Sequence, residues 1–188
     1  EVKYLDADDI SQIIFLLILL ALSAFFSSSE TALTTVNKIR MRTLAEAGNT
    51  KAKKVLKVTE NSPKMLSAIL IGNNIVNLSA SSLTTSLAIK LFGSVGAGVA
   101  TGILTFLILI FGEVSPKTLA TIKADKISLS IAGFISVLMV VLTPVIFIIN
   151  KLSLGVIFLF GIRQSGELMF KVGDIYNHAD MLRAAQDV

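Results

Sequence analysis

Ser23 and Ser27 stand four residues apart at the end of an apolar run, Ile10 to Phe26. Asn73 and Asn77 repeat that spacing inside "IGNNIVNLSASSLTTS". A separation of four puts each pair on one face of a helix. A third apolar run closes with "IFGEVSPKTLA", where Gly112 and Glu113 precede Ser115-Pro116. The serine–proline step reads as an N-cap followed by proline at the first helical position. The helix is therefore expected to break over 112–114 and to free the Gly112 carbonyl. Two hydroxyls, two amide oxygens, one carboxylate and one carbonyl then make six oxygen donors, with no nitrogen or sulfur among them. Hard divalent cations take all-oxygen shells, and a compact octahedral shell suits Mg²⁺ at about 2.0–2.1 Å. One carboxylate implies weak binding, which suits a site that must release its ion. The same residues have a plainer use: Ser and Asn inside spans hydrogen-bond neighbouring helices, at about 1 kcal/mol each. On the residues alone both readings stand.

Such donors have to be carried by membrane helices. The chain has 188 residues, of which 53% are hydrophobic, and a mean hydropathy of +0.77. That composition belongs to an all-α membrane protein. Three segments read as crossings: Ile10 to about Phe26, Met65 to about Phe92, and Val95 to Phe111. A crossing takes about 17 to 25 residues. The acidic N-terminus (Glu1, Asp6, Asp8, Asp9) lacks a basic n-region, so the first run reads as a mature span.

Loop charge orients these spans. Residues 36–64 carry Lys38, Arg40, Arg42, Lys51, Lys53, Lys54, Lys57 and Lys64, whereas the turn between the second and third spans carries Lys90 alone. The stretch after the third span carries Lys117, Lys123 and Lys126. The positive-inside rule puts 36–64 and 117–126 in the cytoplasm, the N-terminus outside and the C-terminus cytoplasmic. A fourth apolar run, Ile127 to Ile149, has basic residues on both flanks. A re-entrant or interfacial helix pair, broken near Thr143–Pro144, satisfies that pattern better than a fourth crossing. Segment 36–64 reads as a pair of amphipathic cytoplasmic-side helices on anionic lipid. Ile39, Leu44, Ala45, Ala52, Val55, Leu56 and Val58 mix with its cations; Gly48-Asn49 breaks it and Asn61-Ser62-Pro63 ends it. Glu30 is expected to pair with Lys38 or Arg40 near that surface. Gly98 and Gly102, with Gly96 and Ala100 offset by two, form a small-residue pattern that suits close helix packing or a dimer seam.

Other chemistries find little support. The chain has no Cys, and its one His is His178 in the polar tail. Thiolate metal sites are excluded, and neither a histidine zinc site nor a Ser-His-Asp triad is expected in the membrane. No nucleophile–base pair stands out, so the chain is not expected to be an enzyme. The basic residues are not interleaved with aromatics, which argues against nucleic acid.

"FFSSSETAL", "GNNIVN" and "GEVSPK", in this order and at these spacings, resemble the transmembrane domain of the CorB/CorC and CNNM family, also called DUF21. The resemblance covers roughly residues 10–155. It implies a magnesium transporter or exporter of the plasma (inner) membrane. It further implies a homodimer with three crossing helices, a short intracellular-side helix pair and a dehydrated Mg²⁺ held mid-domain. The family's site falls on Ser23, Ser27, Asn73, Asn77 and Glu113, with carbonyl help at Ser23 or Gly112. Na⁺ is the coupling ion the resemblance suggests. A full-length member continues into a cytosolic CBS-domain pair. Residues 161–188 do not resemble one and read as a polar cytoplasmic tail, following a transmembrane domain over 1–160. The competing function is a membrane sensor or scaffold whose polar residues only pack helices.

Overall fold

The computed structural model describes residues 6–159, and the tail over 161–188 lies outside them. Among the described residues every regular element is helical. The chain divides into two compact units, Glu1–Ile146 and Phe147–Val188. The first unit holds all the candidate oxygens. In the second, the described residues complete the last helix, where Lys151 Nζ sits 4.8 Å from the centroid of the Phe147 ring.

Helix α1 spans Ala7–Thr35. A capping box starts it: the Asp6 side chain accepts from the Asp9 N–H while Asp9 Oδ2 accepts from the Asp6 N–H at 3.1 Å, and Asp6 Oδ1 also accepts from the Ala7 N–H at 2.8 Å. The run of hydroxyls does not end this helix at Phe26, as the apolar pattern had implied. Ser28 and Ser29 donate to the Phe25 carbonyl, and Thr34 and Thr35 donate to carbonyls one turn behind them. A hydroxyl satisfied by its own helix needs neither water nor a chain break. At 1.5 Å per residue α1 is about 44 Å long, more than the hydrocarbon core of about 30 Å.

Helices α2 (Lys38–Glu46) and α3 (Thr50–Glu60) are the expected amphipathic pair. Asn37 and Asn49 cap them through side-chain oxygens, and Gly48 turns the chain between them with φ +89°. Their inner face is Met41, Ala45, Ala52, Val55 and Val58, while Ile39 points outward at 77% exposure. Helix α4 (Ser62–Leu107) begins with Asn61 as cap and Pro63 in its first turn. It is two arms, Ser62–Gly93 and Gly96–Ile122, the second running on through the segments below. Gly93 turns the chain with φ 70° and ψ −177°, a conformation L side chains resist.

The second arm contains a further departure. No helix break and no Ser115 cap form. Residues Ile108–Val114 make a π-helical segment that passes directly into α5 (Ser115–Ile122). Ser115 keeps helical dihedrals, and its N–H reaches the Ile110 carbonyl five residues back. Pro116 has no N–H to give the Gly112 carbonyl. Widening the turn by one residue accommodates the proline without ending the helix. Helix α6 (Ala124–Val141) and helix α7 (Thr143–Leu159) meet at the expected Thr143–Pro144 break. Among the described residues four stretches are long and apolar enough to cross a membrane: α1, both arms of α4, and α6, which at 18 residues is the shortest.

Charged contacts at the two ends show how the first three stack. Lys90, near the end of the first arm, lies 2.6 Å from Asp9 Oδ1 and 3.2 Å from Asp8 Oδ2 at the start of α1. At the other end Lys117 lies 3.6 Å from Glu30, and Arg40 lies 3.0 Å from Asp125. The three helices therefore run alternately up and down, with α1 packed against both arms and α6, and α3 against α6. Glu30 meets Lys117 rather than Lys38 or Arg40, because the second arm returns beside α1 whereas α2 turns its arginine to α6.

Between α1 and the first arm the packing is tight. A Cβ added at Gly72 would lie 2.6 Å from Phe26 Cζ and 2.7 Å from Cε1. Phe26 is buried and meets Phe25 edge to face, so its ring has little room to retreat. Gly72→Ala is expected to lower stability by about 1–3 kcal/mol through overpacking. A thermal melt checks this, and shortening the ring with Phe26→Leu in the same chain is expected to restore part of the loss.

Candidate functional site

The first arm runs antiparallel to α1. A step of four forward on α1 and four back on the arm therefore stays at one level. Ser23 faces Asn77: Ser23 Oγ donates to Asn77 Oδ1 at 2.8 Å. The same hydroxyl lies 3.5 Å from the Gly112 carbonyl oxygen. Three oxygens from three helical stretches thus meet, and Ser23 is 2% exposed. Gly112 makes the third approach possible. A Cβ there would stand 3.0 Å from Ser23 Oγ and 3.3 Å from Leu20 Cδ1. The missing Pro116 N–H leaves the Gly112 carbonyl more acceptor capacity than a regular helix would.

Ser27 and Asn73 lie one helical turn from Ser23 and Asn77 on the same two helices. Ser27 is 1% exposed. Among the described residues no hydrogen-bond partner reaches Ser27 Oγ or Asn73 Oδ1, and both atoms are buried. Ser128 Oγ in α6 shares that state. A buried polar atom without a partner costs about 1–3 kcal/mol.

Glu113 is held differently. Its Oε1 accepts from Lys117 Nζ at 3.0 Å, and Lys117 also lies 3.6 Å from Glu30 Oε2. Among the described residues no hydrogen bond joins the Glu113 carboxylate to the other five candidates, although it follows Gly112 directly. No group of three or more His, Cys, Asp or Glu that could hold a metal forms among the described residues. The candidate donors are neutral oxygens and the one carboxylate of Glu113, which is paired with Lys117; such a set suits a hard cation better than a soft one.

Residues 13–185 match the family described as the Cyclin M transmembrane N-terminal domain. The chain belongs to this family. A UPF0053 protein of Haemophilus influenzae is 41% identical over 150 residues, covering 80% of this chain and 36% of that protein. The UPF0053 inner membrane protein YfjD of Escherichia coli is 38% identical over 142 residues, covering 76% of this chain and 33% of that one. A chloroplastic DUF21 domain-containing protein of Arabidopsis thaliana is 34% identical over 155 residues, covering 82% of this chain and 23% of its own length. The chain thus spans about a quarter to a third of these curated relatives. It is a multi-pass membrane domain, all helical where described.

In this cyclin M domain, then, the structure brings Ser23, Asn77 and the Gly112 carbonyl together, and one helical turn along α1 and the first arm Ser27 Oγ and Asn73 Oδ1 are buried without a hydrogen-bond partner among the described residues. What the residue pattern left out is Lys117. It counted only as a charge marking the cytoplasmic side. Its spacing of four from Glu113 was the available signal, and the pair survives the π segment between them.

Proposed function

We propose that this domain moves Mg²⁺ across the membrane, with export as the direction and Na⁺ entry as the coupling reaction. Mg²⁺ is the cargo. The observation that carries the reading is that Ser27 Oγ and Asn73 Oδ1 are buried without a hydrogen-bond partner among the described residues, one helical turn along α1 and the first arm from the Ser23–Asn77–Gly112 contact. Helix glue explains Ser23–Asn77 well, since that bond is made. It does not explain two buried oxygens with nothing to bind, which is why the scaffold reading ranks second. Glu113 completes the shell once its carboxylate leaves Lys117.

The domain works as a homodimer in the plasma (inner) membrane, with α1 starting outside and the basic α2–α3 pair in the cytoplasm. The pairing of Lys90 with Asp8 and Asp9 at one end, and of Arg40 with Asp125 at the other, supports that polarity. It separates the lysine-rich end from the end where Asp8 and Asp9 meet Lys90. The fourth apolar run forms a cytoplasmic-side helix pair in this reading, because basic residues flank it on both sides. A full-length protein would carry CBS-type domains beyond this one.

A thermal-shift titration of the purified domain tests the cargo. Binding to the native state raises stability by mass action, so saturating MgCl₂ is expected to raise Tm by about 5 °C or more. NaCl at matched ionic strength is expected to give a smaller rise. Mg²⁺ flux into proteoliposomes should accompany the shift. A Tm indifferent to Mg²⁺, with no flux, returns the oxygens to packing.

A further inference from the structure

Among the described residues, Lys117 is the one charged group that pairs with both a candidate ligand and a second carboxylate. Its Nζ is hydrogen-bonded to Glu113 at 3.0 Å and stands 3.6 Å from Glu30 Oε2, too long for a hydrogen bond. The two carboxylates belong to the segments that carry the oxygens. Glu30 follows Ser27 by three residues on α1, and Glu113 follows Gly112 in the π segment. Lys117, Glu113 and Glu30 are 37%, 38% and 42% exposed at their side chains, so an exchange of partners strands no charge in a dry interior.

We propose that Lys117 is the resident counter-cation of the ion site. Between ions its ammonium occupies Glu113. When Mg²⁺ takes that carboxylate, the ammonium passes to Glu30, a move of less than about 1 Å at Nζ to reach hydrogen-bond distance. Lys117 is a positioning residue that competes with the cargo, and Glu30 is the place it goes. The trade keeps Glu113 neutralised throughout and gives Glu30 its own counter-charge when the ion is bound. It also sets the affinity, because Mg²⁺ has to displace an ammonium before it gains its only charged ligand. Returning to Glu113, Lys117 helps the ion to leave. The inference rests on the Mg²⁺ reading above.

The two partners predict opposite signs, which a merely structural ion pair does not. Lys117→Met keeps the aliphatic stem and removes the competitor. Its Mg²⁺ dissociation constant, by calorimetry on the purified domain, is expected to fall about fivefold, the worth of one half-exposed ion pair. In proteoliposomes KM and kcat should both fall, as release slows. Glu30→Gln leaves Lys117 with nowhere to go, so the dissociation constant should rise by about the same factor. Lys117→Arg keeps the charge and should bind as wild type does. Unchanged or weaker Mg²⁺ binding in Lys117→Met overturns the proposal. If that variant does not fold, Glu30→Gln decides alone, and wild-type affinity there overturns it equally. Wild-type protein that binds no Mg²⁺ in the same calorimeter is a different result, and it removes the transport reading itself.

Discussion

Glu113→Gln is expected to weaken Mg²⁺ binding about tenfold or more and to reduce Mg²⁺ flux in proteoliposomes to near background, while the protein still folds. The argument is one of charge. Every other donor in the set is neutral: the Ser23 and Ser27 hydroxyls, the Asn73 and Asn77 amides and the Gly112 carbonyl. Divalent affinity is tuned chiefly by the number of charged ligands, and here that number goes from one to none. Glutamine keeps the length and an amide oxygen, so a loss cannot be assigned to shape. The fold should survive, because the contact it makes now is a half-exposed pair with Lys117 four residues on, worth about 0.3–0.5 kcal/mol. The measurement is the Mg²⁺-dependent rise in Tm alongside the flux. A Glu113→Gln protein that melts as wild type does and keeps its full Mg²⁺ increment would leave Glu113 as the partner of Lys117 and nothing more.

The shared face of Ser23 with Ser27, and of Asn73 with Asn77, was legible in the sequence because it depends only on periodicity; which serine meets which asparagine was not. Ser23 and Ser27, and Asn73 and Asn77, each share a helical face, and two antiparallel helices bring such faces to one level. The turn at Gly93 was legible for a similar reason: a glycine between two apolar runs, with few charges nearby. Other features were hidden in hydrogen bonds that composition does not report. Nothing in "SSSET" says that Ser28 and Ser29 will turn back on the Phe25 carbonyl and let α1 run on to Thr35. "GEVSP" carries the signs of a cap and a proline stop, and the chain resolves them with a π turn because both neighbouring stretches pack along α1. The Glu30–Lys117 contact joins residues from two distant crossings. It depends on how far along α1 the second arm returns, which is a matter of helix lengths and packing and not of local pattern.

Asn73→Ala and Asn77→Ala separate packing from binding more sharply than either does alone. The two asparagines are equivalent by spacing and unequal in their contacts. Asn77 accepts a hydrogen bond from Ser23 at 2.8 Å, whereas the buried Oδ1 of Asn73 has no partner among the described residues. If they only hold helices together, Asn77→Ala should lower stability by about 1 kcal/mol. Asn73→Ala should cost nothing, or even stabilise, because it removes an unsatisfied oxygen. The Mg²⁺ increment would then be untouched in both. If they are ligands, the unequal effects without Mg²⁺ persist, but both variants lose most of the increment. Each loss leaves a six-coordinate ion one protein oxygen short, and Mg²⁺ tolerates a distorted octahedron less well than Ca²⁺ does. Melts of wild type, Asn73→Ala and Asn77→Ala, with and without saturating MgCl₂ and CaCl₂, give all six comparisons. The decisive one is Asn73→Ala, where packing predicts an unchanged or more stable protein with a full Mg²⁺ response. Binding predicts a protein of the same basal stability that no longer responds to Mg²⁺.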